Sequence, residues 1–190
     1  AALHTPLEVT DRALSVARGM KADGTIAIGG GSSIGLSKAI SSRLGVPQIV
    51  LPTTYAGSEM TSILGETKNG VKETRKDAKI LPDVVIYDVE LTMSLPPSVS
   101  AASGLNGIAH AVEALYAPEC NPVVALMAEE GTKLLFQSLP RIVKDPTSST
   151  ARADALRGAW LCGACLGMAG MGLHHKLCHV LGGLFNLSHS

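Results

Sequence analysis

The sequence lacks an excess of charge of either sign. Its 190 residues carry 16 basic and 16 acidic groups, a formal net charge of zero. Nucleic acid and anionic membrane surfaces both select a basic field, so neither is an expected partner. Charged residues are also few, 17% against a hydrophobic fraction of 46%, as in a well-buried soluble domain or a subunit that hides surface in an oligomer. No run suits a membrane span: the uncharged stretch from Gly158 to Leu173 is short and glycine-rich, and reads as a buried helix whose small residues admit a close neighbour. No secretory signal is visible at the start, and no repeat or low-complexity stretch occurs. Cysteines number four, Cys120, Cys162, Cys165 and Cys178. The C-x-x-C at Cys162 and Cys165 has no second pair to complete a zinc site, and its setting, AWLCGACLGMAG, reads as a thiol-lined packing face at helical spacing. Reduced thiols and a cytoplasmic setting are the default.

What is present is a change of character along the chain. Residues 6–20 read as an amphipathic helix with Pro6 in its first turn, Glu8 and Asp11 early and Arg18 late. Thr25 to Ile28 is a short apolar run bounded by glycine, hence a buried strand. Gly29-Gly30-Gly31-Ser32-Ser33 follows, then a helical period from Ile34 to Leu44. Val46 to Leu51 is the next strand, the polar loop PTTYAGSE follows it, and residues 66–80 are charged and suggest a hairpin. Val84 to Tyr87 is a further β-branched strand. Strands alternating with helices imply a parallel sheet in an α/β layer. Near Leu95-Pro96-Pro97 the β-branched runs stop, and residues 98–116, 122–143, 150–170 and 171–181 all read as helices. The expected organisation is an α/β nucleotide-binding domain over 1–96 followed by an all-α substrate domain over 97–190. The chain opens on Ala1 and ends at Ser190 on what reads as an unfinished loop, so a piece of a longer polypeptide is expected.

Three stretches carry chemistry. The strand–GGGSS–helix junction lets backbone approach a ligand, and free N–H groups at a helix start favour a phosphate. The PTTYAGSE loop also follows a strand, and in an open parallel sheet ligands sit at the carboxyl ends of strands. Four of the six histidines, His174, His175, His179 and His189, lie between Gly172 and the end. In a helix His175 and His179 share a face, while His174 falls on another. Gly182-Gly183 is expected to end or bend that helix and bring His189 back toward the same place. Asn106 and His110, also four apart, face the same way and are expected to join the cleft lined by the terminal histidines.

The motifs GGGSSIGLSKAI, LPTTYAGSEMT, LPDVVIYDVELT, ASGLNGIAHAVEALYAP and HHKLCHVLGGLFNLSH resemble those of the iron-containing alcohol dehydrogenase family, and more narrowly its maleylacetate reductase branch. The resemblance runs over all 190 residues in five ordered motifs. It implies the dehydroquinate synthase-like fold of that family, with part of each domain missing. It also implies NADH or NADPH as cofactor, held by Gly30, Gly31, Ser32, Thr53, Thr54, Ser58 and Lys72. Metal-dependent members of the family hold a divalent ion with one Asp and three His. The matching positions here are Asn106, His110, His175 and His189. Asn106 replaces the anionic ligand, which would leave the ion's charge uncompensated. Gly35 stands where the family's G-G-G-S-x-x-D has its acid, and Tyr55 replaces a small residue. All three departures resemble the branch that works without a metal.

The implied reaction is NAD(P)H-dependent reduction of the C=C bond of maleylacetate to 3-oxoadipate. No metal is expected, and His110, His175, His179, His189, Asn106 and Tyr55 are expected to form the polar pocket. A small-molecule substrate and a homodimer are the expected partners. Three other readings stay open: a metal-dependent alcohol dehydrogenase that tolerates Asn106, a lyase of the dehydroquinate synthase type, and a non-catalytic nucleotide-binding or oligomerisation module.

Overall fold

The computed structural model describes residues 5–68, 71–170 and 172–185, with 71, 72, 179 and 182–184 described by backbone alone. Its first half is α/β. Helix α1 (Leu7–Gly19) has Glu8 in its first turn and Arg18 in its last, the charge order that the helix dipole favours. Strand β1 (Thr25–Gly29), helix α2 (Gly31–Leu44) and strand β2 (Gln48–Pro52) form a β-α-β unit. The two strands run parallel, from Thr25 opposite Gln48 to Gly29 opposite Pro52. An antiparallel hairpin, β3 (Ile63–Lys68) and β4 (Val71–Lys76), fills the charged stretch where a hairpin was expected. Strand β5 (Val84–Val85) then pairs in parallel with β2, giving the order β1-β2-β5.

Alternation along β1 explains its placement. Ala27 turns inward with Val50 and Ile34 of α2, while Ile26 and Ile28 are 70% and 58% exposed on the opposite face. Gln48, fully buried, secures the start of β2: its N–H donates to Asp83 Oδ2 at 2.8 Å and its Nε2 to the Ile80 carbonyl at 3.1 Å.

The second half is helical: α3 (Pro97–Tyr116), α4 (Pro122–Lys144), α5 (Ser149–Ala169) and α6 (Leu173–Phe185). Prolines open α3 and α4, where a missing N–H costs nothing. Asn121 caps α4 by accepting from the N–H groups of Val123 and Val124 at 3.0 and 3.1 Å. The three long helices bury one apolar core in which small residues set the spacing. A Cβ at Gly131 would lie 2.8 Å from Cys162 Sγ, so α4 and α5 cross almost backbone to backbone. The C-x-x-C pair is therefore a packing face, as expected, and burial pushes the Cys162 and Cys165 thiols up to about 12 and about 11.

Arg152 of α5, fully buried, ties the halves together. Its Nη1 donates to the Tyr55 hydroxyl at 3.1 Å and to the Thr92 carbonyl, its Nη2 to the Leu95 carbonyl at 3.0 Å, and its Nε to the Pro146 carbonyl at 2.8 Å.

Three expectations on element bounds are corrected. Helix α2 starts at Gly31, not Ile34, because the Gly30 carbonyl already accepts from the N–H groups of Ser33 and Ile34 at 3.0 and 3.1 Å. Strand β5 stops at Val85, and the Tyr87 hydroxyl turns to Glu59 Oε1 at 2.9 Å. Helix α6 neither ends nor breaks at Gly182-Gly183 but continues to Phe185. Glycine costs a helix about 1 kcal/mol per residue, a penalty the surrounding hydrogen-bond ladder outweighs. No helix among the described residues is long and apolar enough to cross a membrane.

Candidate active site

Two structural units meet the requirements for a site. The first is the carboxyl edge of the β1-β2 pair. Gly29 and Pro52 are opposite each other, and the Thr53 N–H donates to the Gly29 carbonyl at 3.1 Å. The glycine-rich turn and the PTTYAGSE loop therefore leave the same edge side by side. Contact between them is close: a Cβ on Gly30 would sit 2.9 Å from Thr54 Cγ2, and one on Gly31 would have Ser58 Oγ as its nearest neighbour at 3.9 Å. Gly30 is the residue preceding α2, and Gly31 and Ser32 form its first turn, whose N–H groups have no helical acceptor. The Ser58 hydroxyl is buried and has no hydrogen-bond partner among the described residues. Lys72 is in β4 opposite Thr67, and its side chain lies outside the described residues.

The second unit is on helix α3 and the start of α6. Asn106, His110 and Glu113 recur at helical spacing, so they line one face of α3. Asn106 Nδ2 and His110 Nε2 are 3.3 Å apart, the contact their spacing predicts. His110 and His175, 4% and 2% exposed, bring their ring centroids to 4.6 Å. His174 is exposed, stands edge-on to His175, and has its Nε2 3.5 Å from Cys178 Sγ. His179 is in α6 one turn beyond His175, with its side chain outside the described residues. His189 lies outside them altogether.

Glu113 was not among the expected residues, yet it organises this unit. It is 1% exposed, and its Oε2 contacts His175 Nδ1 while its Oε1 accepts the His175 N–H at 3.0 Å. The Tyr116 hydroxyl donates to the same Oε1 at 3.2 Å. Burial pushes the Glu113 carboxyl up, but the two hydrogen bonds and the charge offered by His175 outweigh it, and the group is held below the usual carboxylate range. The anion therefore fixes His175 with Nδ1 toward Glu113 and leaves Nε2 as the ring's other functional atom. It also places negative charge on the first turn of α6, where the helix dipole favours it. A sequence signal for Glu113 existed: an acid in the otherwise apolar run AVEAL, three residues after His110 and on its face.

Tyr55 is fully buried in the core of the helical half, and its hydroxyl accepts from Arg152. Its backbone N–H, donating to Ser103 Oγ at 3.2 Å, holds the loop against α3.

The donor set on α3 and α6 fits a divalent ion poorly. Asn106 is a neutral amide engaged with His110, and the carboxylate in the unit, Glu113, is committed to His175. Hard cations favour anionic oxygen ligands, which Asn106 does not supply.

Comparisons with known proteins give the chain's relatives. Residues 2–89 match the family described as iron-containing alcohol dehydrogenase, and residues 100–190 match the description Fe-containing alcohol dehydrogenase family, C-terminal. The maleylacetate reductase of Sphingobium indicum is 57% identical over all 190 residues, which span 54% of that protein. The crystal structure of maleylacetate reductase from Rhizobium sp. strain MTP-10005 superimposes with a TM-score of 0.95 at 56% identity, covering 100% of this chain and 54% of that one. A putative alcohol dehydrogenase from Ralstonia eutropha JMP134 gives a TM-score of 0.97 at 52% identity, covering 100% and 53%. The chain thus spans about half the length of the curated relatives it matches.

Proposed function

The chain belongs to the iron-containing alcohol dehydrogenase family, and on that premise we propose that it serves NAD(P)H-dependent reduction of the C=C bond of maleylacetate to 3-oxoadipate. The observation that carries the reading is the Asn106–His110–His175–Glu113 unit: neutral donors where an anionic ligand would be needed, beside an imidazole backed by a buried carboxylate. The similarity to maleylacetate reductases over the whole chain supports it. We read residues 1–96 as the dinucleotide domain and 97–190 as the substrate domain, and the assembly as a homodimer.

In this reading Gly30, Gly31, Ser32, Thr53, Thr54, Ser58 and Lys72 hold the dinucleotide. The glycines admit its backbone approach, and the start of α2 offers N–H groups to its phosphates. When bound, the reduced nicotinamide supplies a hydride to the β carbon of the enone. A C–H bond forms there, the C=C π pair moves toward the α carbon, and charge develops on the ketone oxygen. Asn106, whose Nδ2 gives one hydrogen to His110 Nε2, donates its other amide hydrogen to that oxygen, and His110 holds the amide in place. His175 delivers the proton from Nε2 to the α carbon, and the saturated ketone results. Glu113 stabilises the charged ring before the transfer by accepting from Nδ1. His179 and His189 complete the pocket and bind substrate carboxylates. A conjugated acceptor spreads charge onto oxygen by itself, so this chemistry has no need of a Lewis acid, unlike reduction of a simple ketone.

The test uses full-length protein. His175→Ala should lower maleylacetate turnover by about 10²–10⁴-fold, the usual contribution of a general acid, with NADH binding unchanged. Turnover at the wild-type rate would end the assignment.

A further inference from the structure

A second buried cation, besides Arg152, belongs to neither unit. Lys38 of α2 is 1% exposed. Its Nζ donates to the carbonyls of Ser58, Thr61 and Ile63 at 2.5, 2.7 and 3.2 Å and to Thr61 Oγ1 at 3.1 Å. Glu59, also 1% exposed, lies near it and accepts from the Tyr87 hydroxyl at 2.9 Å, and burial pushes its own carboxyl up. Burial is expensive for this amine and lowers it to about 7, with Glu59 opposing the shift. A leucine would fill such a place at lower cost. What a leucine cannot do is draw three separate backbone carbonyls to one point.

Those carbonyls end the loop that carries Thr53, Thr54 and Ser58. The same loop is fixed at two other places. At its start Thr54 touches Gly30. On its far side it rests on the backbone of α5: a Cβ on Gly167 would lie 2.6 Å from the Met60 carbonyl oxygen, and one on Gly163 would overlap the Gly57 carbonyl. Gly57 itself has φ +78, which favours glycine. Lys38 stands two turns along the helix whose first residue is Gly31. One rigid helix therefore presents the glycine-rich turn at its start and grips the neighbouring loop from its middle.

We infer that Lys38 is a positioning residue for the dinucleotide: through the carbonyls of Ser58, Thr61 and Ile63 it sets the Thr53–Ser58 loop against the glycine-rich turn. The inference rests on reading this sheet edge as the dinucleotide site. A lysine that only stabilised the fold would change the melting temperature and leave the affinity of the folded protein for NADH alone. A positioning lysine changes that affinity.

The experiment compares full-length wild type with Lys38→Met, reading the NADH dissociation constant by nicotinamide fluorescence, NADH KM, kcat and the melting temperature. In folded Lys38→Met the dissociation constant and KM for NADH should rise about tenfold while kcat at saturating NADH falls less than about threefold, the signature of lost binding geometry rather than lost chemistry. An unchanged dissociation constant in folded Lys38→Met overturns the inference. Where Lys38→Met does not fold, Thr61→Val decides, since it leaves the lysine and the carbonyls in place but removes the hydroxyl that accepts from Lys38 and donates to the Ser58 carbonyl, loosening the same clamp. A rise of about threefold supports the inference, in line with a single modest hydrogen bond, and no rise overturns it. Wild-type protein that binds neither NADH nor NADPH overturns the reading of the sheet edge and this inference with it; where it binds NADPH alone, NADPH takes the place of NADH in every comparison. Binding by wild type with equal binding by the variants overturns this inference alone.

Discussion

Replacing Glu113 by Gln tests the site at its least exposed point. The change preserves volume, and the amide oxygen can still accept from the His175 N–H and the Tyr116 hydroxyl, which meet Glu113 Oε1 at 3.0 and 3.2 Å. What it removes is the anion facing His175 Nδ1. The new amide N–H₂ would point at Nδ1, so the ring must present a lone pair there and carry its proton on Nε2. The charged ring also loses its counter-ion. A hydrogen bond to a charged group contributes about 1.5–3 kcal/mol, and at about 1.4 kcal/mol per factor of ten the loss is about 10- to 100-fold in kcat. Stability should fall by about 1–3 kcal/mol, because the buried polar atoms keep partners and only the charge is gone. Stopped-flow oxidation of NADH by maleylacetate reads the chemical step, and fluorescence titration reads NADH binding. The dissociation constant for NADH should stay within about twofold, since the perturbation is confined to α3 and α6. A kcat within about threefold of wild type would refute the reasoning, because the Glu113–His175 contact would then have no bearing on proton delivery.

Two further outcomes follow from the packing. At pH 8 the Cys162 and Cys165 thiols, pushed up to about 12 and about 11, should hold thiolate fractions of only about 10⁻⁴ and 10⁻³. Iodoacetamide with peptide mapping should leave both unmodified in native protein and modify both after denaturation; rapid native modification at pH 8 would contradict their burial. Gly163→Ala should cost about 1–3 kcal/mol of stability, because its methyl would overlap the Gly57 carbonyl, whereas Gly19→Ala meets nothing within 4 Å and should be neutral or slightly stabilising by thermal melting. Equal melting temperatures for the two variants would mean that the loop is not held against α5.

Much of the fold was legible because it rests on local pattern. Runs such as Thr25 to Ile28 next to glycine announce strands, and Pro97, Asn121 and Pro122 announce helix starts through backbone rules that act within a few residues. Legibility ended where glycine has two meanings. Gly31 opens α2 and Gly182-Gly183 continue α6, although glycine elsewhere ends a helix and costs about 1 kcal/mol per residue inside one. In the site, Asn106 and His110 could be paired by spacing along one helix and were expected to face the cleft of the terminal histidines, and His110 and His175 bring their rings together. Glu113 and Lys38 were missed for one reason: only the tertiary fold shows that their partners are 62 and 20 to 25 residues away in sequence. The contact of the Tyr55 hydroxyl with Arg152, a guanidinium 97 residues further along the chain, was hidden for the same reason.

The central claim is that a neutral amide and imidazoles, one of them backed by a carboxylate, reduce a conjugated keto-diacid without a metal. The most direct measurement follows the reduced-nicotinamide absorbance of full-length protein with maleylacetate, before and after exhaustive treatment with EDTA and with bound metals quantified. The account predicts NADH consumption at an undiminished rate in metal-depleted protein. Loss of turnover on depletion, with recovery on adding back iron or zinc, would contradict it.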